Sequence, residues 1–162
     1  MSTTPLVVKH VFEKSSLFDT TMAHMIHLHE TSGPAALTPP PIFVQVHRDT
    51  RTSLNSGELE FTLWFALIPF RWLARHEPGP TPTSFADVMV RGPLAYWRHE
   101  HIFSEEAGGI RLTDRVTLAH HSGPRGWLTR LMFDGLPLRL LFFYRHLKTR
   151  WMLSRMKRQA AA

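Results

Sequence analysis

An α+β fold, with seven strands in one antiparallel meander and a long helix at the C-terminus, is predicted by three features of this 162-residue sequence. The hydrophobic period changes to two near Ile42 and returns to 3.6 after Gly123-Pro124, which segregates strands from helices. Turn residues at Glu77–Thr83, Gly92-Pro93 and Gly108-Gly109 divide the middle block into consecutive strands. The last block carries an apolar run from Leu138 to Tyr144, and Pro137 ahead of it suits the first turn of a helix, where its missing N–H costs nothing.

Each element follows from local pattern. Residues 5–12 (PLVVKHVF) are rich in Val and read as the first strand. A helix is expected next, capped by Ser15 or Ser16, with Asp19 in its first turn and Phe18, Met22, Met25 and Ile26 at three- and four-residue spacing. Ser32-Gly33-Pro34 ends it, a short second helix spans Ala35 to Leu37, and Pro39-Pro40-Pro41 stops any continuation. In 58–65, Leu59, Phe61, Leu63 and Phe65 alternate with Glu58, Glu60, Thr62 and Trp64. Further strands are expected at 70–76, 84–91, 96–104 and 110–119, and the stretch 127–157 is helical with a weak point at Gly135. The inner face of such a sheet carries Phe61, Leu63, Phe65, Trp72 and Trp97 against Leu138, Leu141 and Phe142 of the helix. So many large apolar groups either fill a core or line a cavity for an apolar ligand.

Composition excludes several classes. An apolar fraction of 43% is too high for a disordered chain, and the longest apolar stretch, Phe61 to Phe70, is too short to span a bilayer. With no cysteine, a disulfide framework, a thiol nucleophile and a Cys-ligated metal are excluded. No targeting segment is visible, so a cytoplasmic location is expected. Charge is uneven: residues 122–162 hold nine of the nineteen Lys and Arg but, in Asp134, one of the thirteen acids. A basic segment of that density suits an anionic membrane surface, a nucleic acid or an acidic partner, or is a solvated helix face.

The chemistry-bearing residues gather in the last hairpin. Trp97, His99, His101 and Phe103 share one face of their strand, and Leu112, Asp114, Val116 and Leu118 share one face of the next. Arg111, Thr113, Arg115 and Thr117 must face water, so Asp114 faces inward. A short loop at Gly108-Gly109 then pairs 103 with 112 and 101 with 114, which predicts a His101–Asp114 hydrogen bond. Such a pair either satisfies a buried carboxylate or serves as a general acid–base. His101, Asp114 and His99 are therefore the catalytic candidates, with no nucleophile to complete a set. For a metal, His24 and His27 stand three apart on a helix, and His99 and His101 have suitable strand spacing. No HExxH occurs, His120 and His121 point to opposite faces, and a third, carboxylate ligand is unassigned, so no metal and no cofactor is expected.

The order of elements, together with HETSGPAALTPP, SFADVMVRGPLAYWRHEHIF, GIRLTDRVTL and LFFYRH, resembles the SRPBCC (START/Bet v 1-like) superfamily over roughly residues 5–150. The similarity is greatest to small bacterial polyketide-cyclase/coenzyme-Q-binding-like members. The resemblance implies a helix-grip fold, a curved seven-stranded sheet around the C-terminal helix with two short helices between strands 1 and 2. It also implies a cavity for lipids, polyketides, quinones or other hydrophobic molecules, while some members are cyclases or dehydratases. Phe85, Asp87, Gly92, Trp97, His99, His101, Asp114 and Arg145 match the family pattern, which has no universal catalytic residues. The expected organisation is one ligand-binding domain, 1–153, and a basic tail, 154–162. The expected ligand-binding set is Phe61, Leu63, Phe65, Trp72, Trp97, His99, His101, Asp114, Leu138, Leu141, Phe142 and Arg145. Expected partners are a hydrophobic small molecule, an anionic surface touching the basic tail, and a second copy in a homodimer.

Overall fold

Period-two alternation produces the strands expected of it. In the computed structural model, which describes residues 9–160, the elements are β1 (His10–Phe18), α1 (Met22–Thr31), a 3-10 turn (Pro34–Leu37), β2 (Ile42–Asp49), β3 (Glu58–Phe65), β4 (Ile68–Pro78), β5 (Phe85–Arg91), β6 (Tyr96–Glu106), β7 (Gly109–Ala119), α2 (Gly123–Phe133) and α3 (Gly135–Ala160). The seven strands form one antiparallel sheet in the order β1-β7-β6-β5-β4-β3-β2, so the first strand joins the last and the remainder is a meander. Register shifts in β2–β3 and β4–β5 mark β-bulges, which increase the local bend and twist of the sheet. Among the described residues, no helix is long and apolar enough to cross a membrane.

Three boundaries differ from expectation. Residues 5–8 of the expected first strand lie outside the described residues, and the strand extends instead to Phe18. Ser15 and Ser16, expected to cap a helix, lie opposite Thr113 and Leu112 of β7, and Phe18 is buried beside Ile110. Pairing with β7 overrides helical spacing, and α1 starts later, where the Thr21 hydroxyl accepts from the His24 N–H at 3.3 Å. The expected second short helix is a single 3-10 turn, because Gly33-Pro34 and the prolines after Thr38 leave room for four residues. The C-terminal helical stretch is two helices. Gly135 takes a φ of 57°, and the Asp134 carboxylate accepts its N–H at 2.7 Å, which separates α2 from α3.

The β6–β7 hairpin has the expected register, with Phe103 opposite Leu112 and His101 opposite Asp114. Its reversal needs Gly108 and Gly109, both at positive φ, and a side chain on Gly109 would collide with the Phe18 carbonyl. α3 lies across the inner face of the sheet with Leu138, Phe142, His146, Thr149 and Leu153 buried. It continues without a break to Ala160, with Met156 packed against the cluster that contains Phe18, so residues 154–160 of the expected tail are helical. Two apolar clusters result. One gathers Phe61, Phe70, Trp72, Trp97, Phe133 and Phe142; the other gathers Phe18, Met25, Leu28, Phe85, Phe103 and Leu153. A belt of histidine and aspartate side chains lies between them.

Candidate functional site

The belt is built by strand pairing. Asp87 on β5 stands opposite His99 on β6, and His101 on β6 stands opposite Asp114 on β7, so alternation turns all four side chains to the inner face. His146 reaches them from α3, His29 from α1 and His76 from β4. Asp114 is buried at the centre. Its Oδ1 accepts from His99 Nε2–H at 2.8 Å and its Oδ2 from His146 Nε2–H at 2.8 Å. Since His146 donates through Nε2, its Nδ1 accepts from the Ser16 hydroxyl at 2.8 Å. His101 Nδ1 comes within 3.0 Å of Asp114 Oδ1, but the approach is oblique and forms no aligned hydrogen bond. The expected His101–Asp114 pair is therefore a close polar contact, and the aligned bonds of Asp114 go to His99 and His146.

Asp87 forms the cavity side of the same belt. Its Oδ2 lies 3.1 Å from His99 Nδ1 and 3.5 Å from His101 Nε2, and its Oδ1 lies 3.9 Å from His76 Nε2. His76 Nδ1–H donates to the Leu54 carbonyl at 3.0 Å, and His29 Nδ1–H to the Met25 carbonyl at 2.8 Å. The rings also serve as packing surfaces: His101 stacks on Phe85 with centroids 4.2 Å apart, and His29 meets Phe103 edge-on at 5.0 Å.

Electrostatics distinguish the members. Burial alone would raise Asp114, but the surrounding histidines, His101 foremost, hold it well below the usual carboxylate range. Asp87 behaves the same way, with His101 and His99 outweighing burial. Burial works against a charge on His101, and the Asp114 and Asp87 carboxylates overcome it, so its pKa is raised. His29 is pushed down to about 3 by burial and by His101 beside it. His76 is also lowered, chiefly by burial. One belt thus holds both charge-favouring and charge-refusing imidazoles.

Next to the belt is a cavity of about 170 Å³ between sheet and α3. Its apolar wall is made by Phe61, Leu63, Phe65, Trp72 and Trp97 from the sheet and by Leu138 and Leu141 from α3. Its polar end presents Asp87, His99, His101, His76, Arg51 and Arg145.

Solved structures share this fold across almost their whole length. The Zhui aromatase/cyclase from Streptomyces sp. R1128 superimposes with a TM-score of 0.70 at 12% identity, covering 94% of this chain and 98% of that one. Norcoclaurine synthase from Thalictrum flavum, a point mutant in complex with a transition-state analogue, gives 0.67 at 9% identity over 93% and 98%. A START superfamily protein from Mycobacterium smegmatis gives 0.64 at 7% identity over 91% and 99%. The chain shares with these proteins a fold in which one antiparallel sheet is closed by a long C-terminal helix. No protein-family model matches the sequence, and no curated protein matches it.

Within this fold, ten of the residues expected at the ligand site line the cavity: Phe61, Leu63, Phe65, Trp72, Trp97, His99, His101, Leu138, Leu141 and Arg145. Phe142 and Asp114 do not. Phe142 is sealed between Phe12 and His99, with ring centroids 5.4 and 5.0 Å away, and Asp114 lies behind the two histidines. Sequence reasoning missed four members. Asp87 alternates in register with Phe85 and Met89, and a β5–β6 register would have placed it beside His99. His146 lies one helical turn beyond Phe142 on the same face, a usable signal. His76 alternates in phase with Phe70, Trp72 and Ala74, and His29 shares the α1 face of Met25, so each had a local signal for facing inward but none for meeting at one site.

Proposed function

We propose that this protein binds a compact, largely apolar molecule in the cavity, with an oxygen-bearing end against Asp87, His99, His101 and Arg145. The observation that carries this is one cavity with an apolar wall from both layers and a polar cluster at one end. Its volume of about 170 Å³ is close to that of an engineered apolar cavity of ~150 Å³ that accepts benzene. That size suits a small cyclic compound, a quinone or a short aromatic polyketide, and not a long-chain lipid lying in one fixed conformation. Arg145 makes no ion pair among the described residues and is free to meet a carbonyl or carboxylate. The fold shared with an aromatase/cyclase and with norcoclaurine synthase supports this reading. Native mass spectrometry before and after organic extraction tests it, with calorimetric titration of benzoquinones and small aromatic acids. One saturable equivalent, weakened by Arg145→Ala or by Phe61→Ala, is expected. A protein that carries nothing and takes up none of these compounds would overturn the reading.

A cyclase or dehydratase is the second reading, favoured by His99 and His101 on the cavity wall with Asp114 behind them. Turnover that disappears in His101→Ala while binding persists would establish it.

The outer face of the C-terminal helices suits an anionic membrane surface. Leu136, Leu140, Phe143, Leu147 and Trp151 form an exposed stripe along α3, continued on α2 by Trp127 and Leu131. α3 contains no acidic residue, and Lys148 and Arg155 lie over the Trp151 ring at 4.4 and 4.8 Å. Like charge flanking the stripe opposes a second copy and favours phosphatidylglycerol-type headgroups. Sedimentation with anionic vesicles, lost with neutral vesicles and in Leu140→Ser/Trp151→Ser, is the expected result. A dimer in light scattering, broken by the same substitutions, would replace it.

A further inference from the structure

We propose that Asp87, His99 and His101 form a binding site for a divalent transition-metal ion, zinc or ferrous iron by the chemistry of its donors, open towards the cavity. Two imidazole nitrogens and one carboxylate oxygen converge: Asp87 Oδ2 is 3.1 Å from His99 Nδ1 and 3.5 Å from His101 Nε2, and the three donors lie within 4.8 Å of one another. Ligands held about 2.0–2.1 Å from one tetrahedral zinc ion stand roughly 3.4 Å apart, so little movement is needed to close around it. With no cysteine in the chain, the donor set is imidazole nitrogen and carboxylate oxygen, which suits both ions.

Hydrogen bonding behind the donors leads to the same place. In the neutral ring that gives its Nε2–H to Asp114, the His99 Nδ1 lone pair is turned towards Asp87. His76 spends its Nδ1–H on the Leu54 carbonyl, so its Nε2 lone pair also faces Asp87, 3.9 Å from Oδ1, in a side chain only 7% exposed. Lone pairs from separate strands aimed at one carboxylate need a cation between them, a proton on the ring nitrogen or a metal ion in its place. That makes His76 a candidate fourth donor.

Asp114 completes the pattern. It takes the far N–H of His99 and lies 3.0 Å from the far nitrogen of His101, and His146 fixes its other oxygen. A carboxylate behind metal-bound histidines sets their tautomers and ring orientation. The spacing of His99 and His101 is visible in the sequence; the third ligand comes from β5, whose pairing places Asp87 beside His99. An ion there would leave a coordination position on the cavity side for a ligand oxygen. The metal site stands whether or not an apolar molecule binds, because its test uses the ion alone.

The full-length protein, stripped with a chelator, is titrated with Zn²⁺ by calorimetry and with Co²⁺ by visible absorption. One equivalent is expected, with the intense d–d bands of a low-coordinate cobalt site. Asp87→Asn and His101→Gln should abolish saturable binding, Asp114→Asn should weaken it by about 10–100-fold, and His10→Ala should leave it unchanged. His10 tests the other group of potential ligands, His10, His120 and Asp134. Should the variants fail to fold, nitrogen-15 spectra of the wild-type histidine rings decide: Zn²⁺ must shift His99 Nδ1 and His101 Nε2. Absence of saturable binding, binding lost in His10→Ala, or unshifted His99 and His101 nitrogens would overturn the site.

Discussion

The two ends of the cavity are built on opposite principles. At one end Phe61, Phe65, Phe70, Trp72, Trp97 and Phe133 meet by shape, with Phe70 and Phe133 edge to face at 5.1 Å and Trp72 and Trp97 at 5.5 Å. At the other end His29, His76, Asp87, His99, His101, Asp114 and His146 meet through directed polar contacts of about 3 Å. Dispersion between rings is forgiving of small displacements, while a buried carboxylate tolerates the loss of neither its charge partners nor its donors. The aromatic end can therefore adapt to a ligand's outline, and the polar end must hold its geometry to recognise anything.

The sharpest way to break this contrast is at Asp114. Replacing it with alanine strips His99 and His146 of their shared acceptor and removes the charge that faces His101. A loss of about 3–5 kcal/mol is expected, the usual result of removing one partner from a buried ionic cluster. Asp114→Asn keeps the shape, so the loss should fall to about 1–3 kcal/mol. Urea denaturation of both variants checks the order. Equal losses would mean that packing, and not charge, dominates this end.

Acid should weaken the polar end selectively. His29 is held down to about 3 by burial first, with His101 and Arg145 also opposing its protonation and the Met25 carbonyl and Asp114 favouring it. The unfolded chain protonates the same ring near pH 6.5. Between those values the unfolded state binds more protons, so stability falls as pH drops from about 6.5 towards 3, by roughly 1.4 kcal/mol per pH unit for one group. Below that window His29 adds no further dependence. His76, also lowered, acts in the same direction. Urea midpoints measured from pH 7 to 4 with chelator present should decline, and His29→Leu should flatten the slope. An unchanged slope in that variant would assign the acid sensitivity to other groups.

The same contrast explains what could be seen in the sequence. Alternation and turn residues are local, so the strands, the inner-face aromatics and the register of the tight β6–β7 hairpin were legible. The boundary between β1 and α1 was not, because Phe18 and Met22 have helical spacing and only pairing with β7 draws Ser15 to Phe18 into the sheet. Asp87 escaped for a related reason. β5 and β6 pair only from 85–88 to 98–101, across a wide connection through Gly92-Pro93, and loop length there does not determine register. His29, His76 and His146 each lie in phase with the apolar face of their own element, but their convergence from three elements is a tertiary fact. Most of the aromatic end could be read because strand alternation implies it; the polar end needed six elements to be placed.

The smallest expected effect comes from the aromatic end, at Phe65. Its ring lies edge-on to Phe70 and Phe133, with centroids 5.7 and 5.3 Å away, and it also lines the cavity without being fully buried. Leucine there keeps the wall apolar and removes modest volume, so stability should change by less than about 1.5 kcal/mol. The space released opens into the existing cavity, which should shift ligand preference towards slightly larger rings with little change in overall affinity. Denaturation together with calorimetry on one-ring and two-ring quinones separates the two effects. A stability loss as large as that of Asp114→Asn would show that the aromatic end is as intolerant of change as the polar one, and the division of labour between them would fail.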